Sequence, residues 1–255
     1  MADYHVHSNY SDGRFLWSTI PAAAEAGFEA LGFADHCIVS ERDAMRRTRT
    51  RMGYNLDRTY ERRREALASF GERFDLPIYD AVEMDYDRRD ESEIEAFLDG
   101  AGFDYAIGSV HYLDDANVHF TSPFADKGEE ERRALADRYV DELVALVDSE
   151  LFAVAAHPDL LERNPVFRGL LGHDDYVRIA EAFADSRTIP EINAGRVLDD
   201  YGDFHPTAAF LDVLLDHGID LTLGTDSHAP EELEPRAAEL RRVVEEYGID
   251  PVRVV

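Results

Sequence analysis

Seven short apolar runs are spread along this chain, and nearly every one ends in a histidine or a carboxylate. The runs are Tyr4–Val6, Ala30–Ala34, Pro77–Val82, Tyr105–Val110, Phe152–Ala156, Ile189–Ile192 and Leu221–Gly224. They lack the polar alternation of a strand with one wet face. Near-continuous apolar runs mark parallel strands, which are covered on both sides. Helix-like stretches fall between them: Pro21–Ala26 with proline in its first turn, Thr59–Phe74, Glu129–Asp148, Asp174–Ala184, Pro206–His217 and Glu231–Tyr247. Gly218 and Gly248 close two of them. Strands alternating with helices over the whole length predict an α/β barrel in one domain, residues 1–255. No Pro/Gly/Ser linker, short repeat or low-complexity tract interrupts the pattern. The arginine-rich segment Glu41–Asn55 is expected to be the longest irregular connection, a loop over the barrel mouth.

Parallel barrel strands all end on one face, and catalytic groups gather there. The polar ends are His5 and His7, then Asp12, His36, Glu83, His111, His157, Asp226 and His228. The one remaining run, Ile189–Ile192, ends in Glu191-Ile192-Asn193. His5 and His7, two apart on a strand, project from the same face. A lone His-x-His pair is usually chance, but satisfied core histidines would not all choose strand ends. Nine nitrogen and oxygen donors exceed what one ion needs. Mixed imidazole and carboxylate ligation suits Zn, Mn or Fe(II). Cys37 reads as a small buried hydrophobe. His119, His173, His205 and His217 match none of the strand ends. His205, beside Pro206, is the loop candidate for the pocket wall. His217 sits in the last turn of a helix, which favours an imidazolium without any functional role. Tyr112 and Ser227 adjoin donors and read as their supports.

The formal net charge is −28, and a single lysine, Lys127, stands among 26 basic residues. Concentrated salt screens the self-repulsion of such a surface, so we read the charge as salt adaptation. It weighs slightly against a nucleic-acid partner, which asks for a basic track. No run reaches the roughly 18–20 apolar residues of a membrane span. With one cysteine no intrachain disulfide forms, and the N-terminus carries no secretory pattern, so a cytoplasmic location is expected. Oligomeric state is not legible.

The order His5-Val6-His7, Ser11-Asp12-Gly13, Asp35-His36, Glu83, Gly108-Ser109-Val110-His111, Ala156-His157-Pro158-Asp159 and Asp226-Ser227-His228 resembles the polymerase-and-histidinol-phosphatase (PHP) superfamily. Phe103–Tyr112 followed by Leu113-Asp114-Asp115, and Glu191-Ile192-Asn193 followed by Arg196, look like its histidinol-phosphatase branch. The resemblance implies a distorted seven-stranded (β/α) barrel holding three divalent metal ions. Carried over, one ion takes His5, His7, Glu83 and Asp226. A second takes bridging Glu83 with His111 and His157. The third takes Asp12, His36 and His228. Ser-Asp-Gly departs from the histidine that many histidinol phosphatases carry near Asp12.

The activity implied is hydrolysis of a small phosphate monoester, foremost L-histidinol phosphate in histidine biosynthesis. Divalent ions activate water and clamp the phosphoryl oxygens. Arg163 and Arg196 hold the positions of phosphate-binding arginines, whose planar forks suit the group. Either Asp226 or a water would hand the leaving alkoxide its proton, and His228 stands beside Asp226 in that chemistry. Other readings stay open: a relative acting on nucleotides or short oligonucleotides, an amidohydrolase barrel, and a non-catalytic metal-binding module. The carboxylated-lysine type of amidohydrolase would have to use Lys127, which lies in a polar stretch. Asp114 and Asp115 read as loop solvation before an ammonium-binding pair. Arg46–Arg51 either steers anions to the mouth or offsets nearby acids.

Overall fold

The computed structural model describes all 255 residues. Seven parallel strands stand side by side: β1 (Ala2–Val6), β2 (Ala30–Cys37), β3 (Ile78–Asp85), β4 (Tyr105–Ser109), β7 (Val154–Ala155), β8 (Ile189–Asn193) and β9 (Thr222–Gly224). A small antiparallel pair, β5 (Tyr112–Leu113) and β6 (Ala116–Asn117), follows β4. The sheet closes between its ends through the Val6–Ser227 bridge, with His7 N–H donating to the Ser227 carbonyl at 2.9 Å and Asp226 N–H to that of His5 at 2.8 Å. The result is a nearly closed (β/α)7 barrel, α/β as the strand pattern predicted and of the distorted kind that the resemblance implied.

Alternation along the strands separates the site from its floor. The face that carries His36, Glu83 and Ser109 carries Ala34, Ala81 and Ile107 two residues earlier, and these pack with Tyr4, Tyr105 and Val154 in the barrel interior. The opposite faces meet helices, in a large cluster on one side and a smaller one around α1 (Leu16–Glu25), Phe33 and Leu67 on the other.

All seven runs are strands, with shifted ends. β2 and β3 run three residues further than the apolar stretch, so His36 and Glu83 lie inside strands and face each other in register. β7 shrinks to two residues. Of the helices, α3 (Tyr60–Gly71), α5 (Glu129–Asp148), α6 (His173–Ala184), α7 (Ala208–Asp216) and α8 (Pro230–Tyr247) fall where expected.

Two expectations are corrected. The first helix begins at Leu16, so Pro21 lies in its interior and not in its first turn. Most of Glu41–Asn55 is not irregular: α2 (Asp43–Met52) is a helix closed by left-handed Gly53. It does border the mouth, where Thr48, Arg51, Met52 and Tyr54 line the main cavity. A further helix, α4 (Glu91–Ala101), went unread. No helix is long and apolar enough to cross a membrane.

Candidate metal centre

All nine sequence-derived donors meet at the C-terminal mouth of the barrel. His5, His7 and Glu83 are fully buried, and their ligand atoms lie within 4.8 Å of one another. His7 Nε2 stands 3.2 Å from Asp226 Oδ1 and 3.6 Å from Glu83 Oε2. The other oxygen of Glu83 faces His157 Nε2 at 3.0 Å and His111 Nε2 at 3.5 Å. Outward lie Asp12, His36 and His228, grouped around His7. There Asp12 Oδ1 is 3.3 Å from His228 Nε2 and 3.7 Å from His36 Nε2. Three groups of ligand atoms form, His5-His7-Glu83, His7-Asp12-His36-His228 and His36-Glu83-His111, so His7 and His36 each belong to two of them, while Asp226 and His157 adjoin them through His7 and Glu83.

The residues fit divalent ions. His5 Nδ1 faces both oxygens of Glu191 at 3.0 Å, His111 Nδ1 faces Asp85 at 2.7 Å, and His228 Nδ1 faces the Asp226 carbonyl at 2.9 Å. Each partner only accepts, so it fixes the proton on Nδ1 and leaves the Nε2 lone pair toward the centre. His5 Nε2 then stands 3.2 Å from His7 Nε2, and His111 Nε2 3.3 Å from His157 Nε2. Ring nitrogens this close suit a cation held between them, and His157 Nε2 also faces Glu83 Oε1 at 3.0 Å. Glu83 Oε2 is buried without a hydrogen bond, although His36 Nδ1 lies 2.7 Å away. A buried carboxylate oxygen costs several kcal/mol unless a cation meets it, whether a bound ion or the His36 imidazolium.

The charges agree. Burial works against ionised Glu83 and Asp226, yet the surrounding imidazoles hold both well below the usual carboxylate range. Burial, then the His228 and His36 charges, push His7 down to about 4. Burial opposes protonation of His36, but Glu83 and Asp12 raise it to about 10. The backbone is strained here as well. His157 and Asp226 both adopt positive φ, 30° and 50°, a conformation that costs roughly 1–3 kcal/mol and clusters at functional sites.

Supporting residues come both from β8, which bears no ligand, and from the ligand-bearing strands β2 and β3. Glu191, fully buried on β8, also accepts from the His157 backbone N–H at 3.1 Å. Gly224 makes room for it, since a Cβ there would collide with the Glu191 carboxylate and the His5 side chain. Asp85 lies two residues after Glu83 on the same face, a spacing that could have flagged it. Asp35 accepts from Ser8 N–H and Oγ at 2.7 Å and from Ser11 Oγ at 2.6 Å, fixing the loop between His7 and Asp12. Fully buried Arg63 meets Asp35 at 2.8 Å and Asp80 at 2.6 Å.

The centre opens into a cavity of about 550 Å³. Arg163 and Arg196 both line it. Arg196 pairs with Asp199 at 3.0 Å, whereas Arg163 makes no ion pair. Burial, then the charge of Arg196, push the Arg163 guanidinium down to about 10. Two neighbouring cations in a partly dry wall attract an anion. Asp115 also lines the cavity but is held by Arg42 and Arg89, and Asp114 by Arg138, so neither is free for an ammonium group. Lys127 pairs with Glu131 away from the cavity. His205 does not line it: its Nδ1 lies 2.7 Å from buried Asp159. The sequence passed over His119, whose half-buried ring stands 5.1 Å from that of His111 in the cavity wall.

A family model described as the PHP domain matches residues 3–195. The chain belongs to the PHP family. The matched span holds the donors from His5 to His157; Asp226 and His228 lie beyond it. Similar known proteins include the histidinol-phosphatase of Lactococcus lactis, 28% identical over 237 residues, which span 89% of this chain and 83% of the relative. A protein of Deinococcus radiodurans named "Probable histidinol-phosphatase" is 27% identical over 241 residues, 89% of this chain and 85% of the relative. The crystal structure of the Lactococcus lactis enzyme, complexed with zinc, L-histidinol and phosphate, superposes with a TM-score of 0.75 over 98% of this chain and 95% of that one, at 23% identity. At that identity the superposition establishes the fold.

Proposed function

We propose that this PHP-family protein is a metal-dependent phosphomonoesterase whose 255 residues act as one domain, and that L-histidinol phosphate is its substrate. The observation that carries the reading is the juxtaposition, in a single cavity, of seven metal-competent donors, backed by buried His5 and His7, with two neighbouring arginines, one of them unpaired. Three divalent ions, Zn, Mn or Fe, would be held by His5, His7, Glu83 and Asp226; by Glu83, His111 and His157; and by Asp12, His36 and His228. Bound there, such ions supply Lewis acidity and a nucleophilic water at neutral pH.

The chain's own groups do the rest. Arg163 and Arg196 hold phosphoryl oxygens through forked N–H donors and offset charge as the ester bond breaks. Glu191 and Asp85 keep the His5 and His111 rings aimed at the centre. Either a water or Asp226, which would first take the proton given up by the attacking water, would hand the departing alkoxide its proton; Asp226 Oδ1 lies 3.6 Å from His228 Nδ1. The relatives' names and the printed ligands of the Lactococcus lactis structure support histidinol phosphate as the first substrate to test. We read the −28 charge as salt adaptation, so assays belong in concentrated salt.

The test compares phosphate release from L-histidinol phosphate, nucleoside monophosphates and an aryl phosphate, using metal-loaded protein and the His7→Ala and Arg196→Ala variants. Preference for histidinol phosphate, abolished by the first change and raised in KM by the second, is expected. Preference for nucleotides would keep the metal chemistry and overturn the substrate. No hydrolysis by a protein shown to hold its metals would overturn the enzyme.

A further inference from the structure

A second cavity, of about 680 Å³, adjoins the metal pocket, and Tyr54 belongs to the walls of both. Its charged lining is Arg46, Arg49, Arg58 and Arg62 against one acid, Asp57. That imbalance is opposite to that of the whole chain, where 54 acids face 26 basic residues. In such a chain a carboxylate is within easy reach of most arginines, and Arg42, Arg89, Arg133 and Arg138 each have one within 3 Å. Arg58 and Arg62 have none within 4.0 Å. Arg46 has only Glu41, at 3.7 Å. Arg49 shares Glu41 at 3.4 Å and reaches Asp57 at 3.7 Å.

The cavity has a fixed frame. Asn55 exchanges two hydrogen bonds with the Ile38 backbone, accepting at 2.8 Å and donating at 3.0 Å. Arg49 donates to the same Ile38 carbonyl at 3.0 Å. The arginines of α2 repel one another along the helix, which costs stability that a carboxylate at any of these positions would restore. Arg51, on the same helix, reaches into the metal pocket, so positive charge runs on from one cavity to the other.

We propose that this cavity is a second anion site that binds a phosphoryl group beside the metal pocket. Guanidinium forks match phosphoryl oxygens in pairs, and a dianion answers several arginines at once, as a single carboxylate does not. The inference rests on the phosphomonoesterase reading only for the place of the first phosphoryl group. Its occupant is either free orthophosphate or the second phosphoryl group of a substrate that carries two.

Equilibrium dialysis of radiolabelled orthophosphate against the metal-loaded protein tests it, at the lowest salt that preserves the fold, because screening weakens an exposed site. Two bound equivalents are expected in the wild type. Arg58→Ala/Arg62→Ala should weaken one of them at least tenfold and leave metal content unchanged, while Arg196→Ala should weaken the other. One equivalent in the wild type, or two undiminished in the double variant, overturns the proposal. The occupant follows from kinetics. If it is a substrate's second phosphoryl group, the double variant raises KM for a doubly phosphorylated ester and not for an aryl monophosphate. If it is orthophosphate, the two esters respond alike. Because the dialysis reads binding, its result stands apart from whether any ester is hydrolysed.

Discussion

The inner and outer halves of the donor cluster differ in how firmly the fold holds them. The side chains of His5, His7 and Glu83 are at most 1% exposed, whereas His36, His228 and Asp12 are 17%, 23% and 36% exposed. The inner ligands lean on acids, Glu191 behind His5 and Asp85 behind His111. Asp12 sits on a loop that is itself held by Asp35 through Ser8 and Ser11. Burial and support before any ligand arrives lower the cost of binding it, so the inner half should hold ions tightly and the outer half should exchange them. The outer half is also where the chain departs from many histidinol phosphatases, with aspartate at position 12.

The largest expected contrast is between Glu83→Gln and Asp12→Asn. Glu83 serves both inner ion sets, so its loss should cost more than the roughly 100-fold that follows loss of a ligand's support. Metal analysis of the purified variant should show the inner ions missing. Equal metal content in the two variants would erase the distinction.

Glu191→Gln comes next, with metal affinity of the inner half falling about 10–100-fold while the fold persists. Competition against a chelator reads it, and an unchanged affinity would mean that Glu191 only fills space. For Asp12→Asn, one equivalent of metal should become chelator-labile, with inner ions retained and activity lowered about tenfold or less.

The support beneath the outer half carries a pH signature. Burial alone would raise the Asp35 carboxyl, but Arg63, His7 and Ser11 hold it below its ordinary value. Its unfolded pKa is about 3.9. A depressed carboxylate contributes stability that is present above the unfolded pKa and lost as pH falls through the lower folded one. Asp35→Asn should therefore destabilise the protein by about 3 kcal/mol at neutral pH, since Arg63 keeps only Asp80. The deficit should shrink below about pH 4. Denaturant melts across pH measure this, and a pH-independent deficit would contradict the ion-pair account.

The strands and donors were legible for one reason. Parallel strands are apolar on both faces, so a histidine or acid at the end of each run stands out against its own strand. Strand ends were less so, because β2 and β3 continue through the polar Asp35-His36 and Glu83-Met84-Asp85. α2 gave no apolar stripe to read: Met45 is its one buried residue, and Arg46, Arg47, Arg49 and Arg51 punctuate the rest. Pro21 looked like a helix start because proline prefers the first turn, yet here it sits one turn further in. Glu191, Asp85 and Arg63 act through partners on other strands. Glu191 lies 186 positions from His5, and no local spacing encodes that pairing.

The most direct test is phosphate release by stripped protein titrated with zinc, plotted against metal equivalents per chain. The account predicts no hydrolysis of L-histidinol phosphate without metal and a steep rise once the inner half is filled. A smaller gain should follow as the outer ion is added. Hydrolysis at full rate by the stripped protein would contradict it.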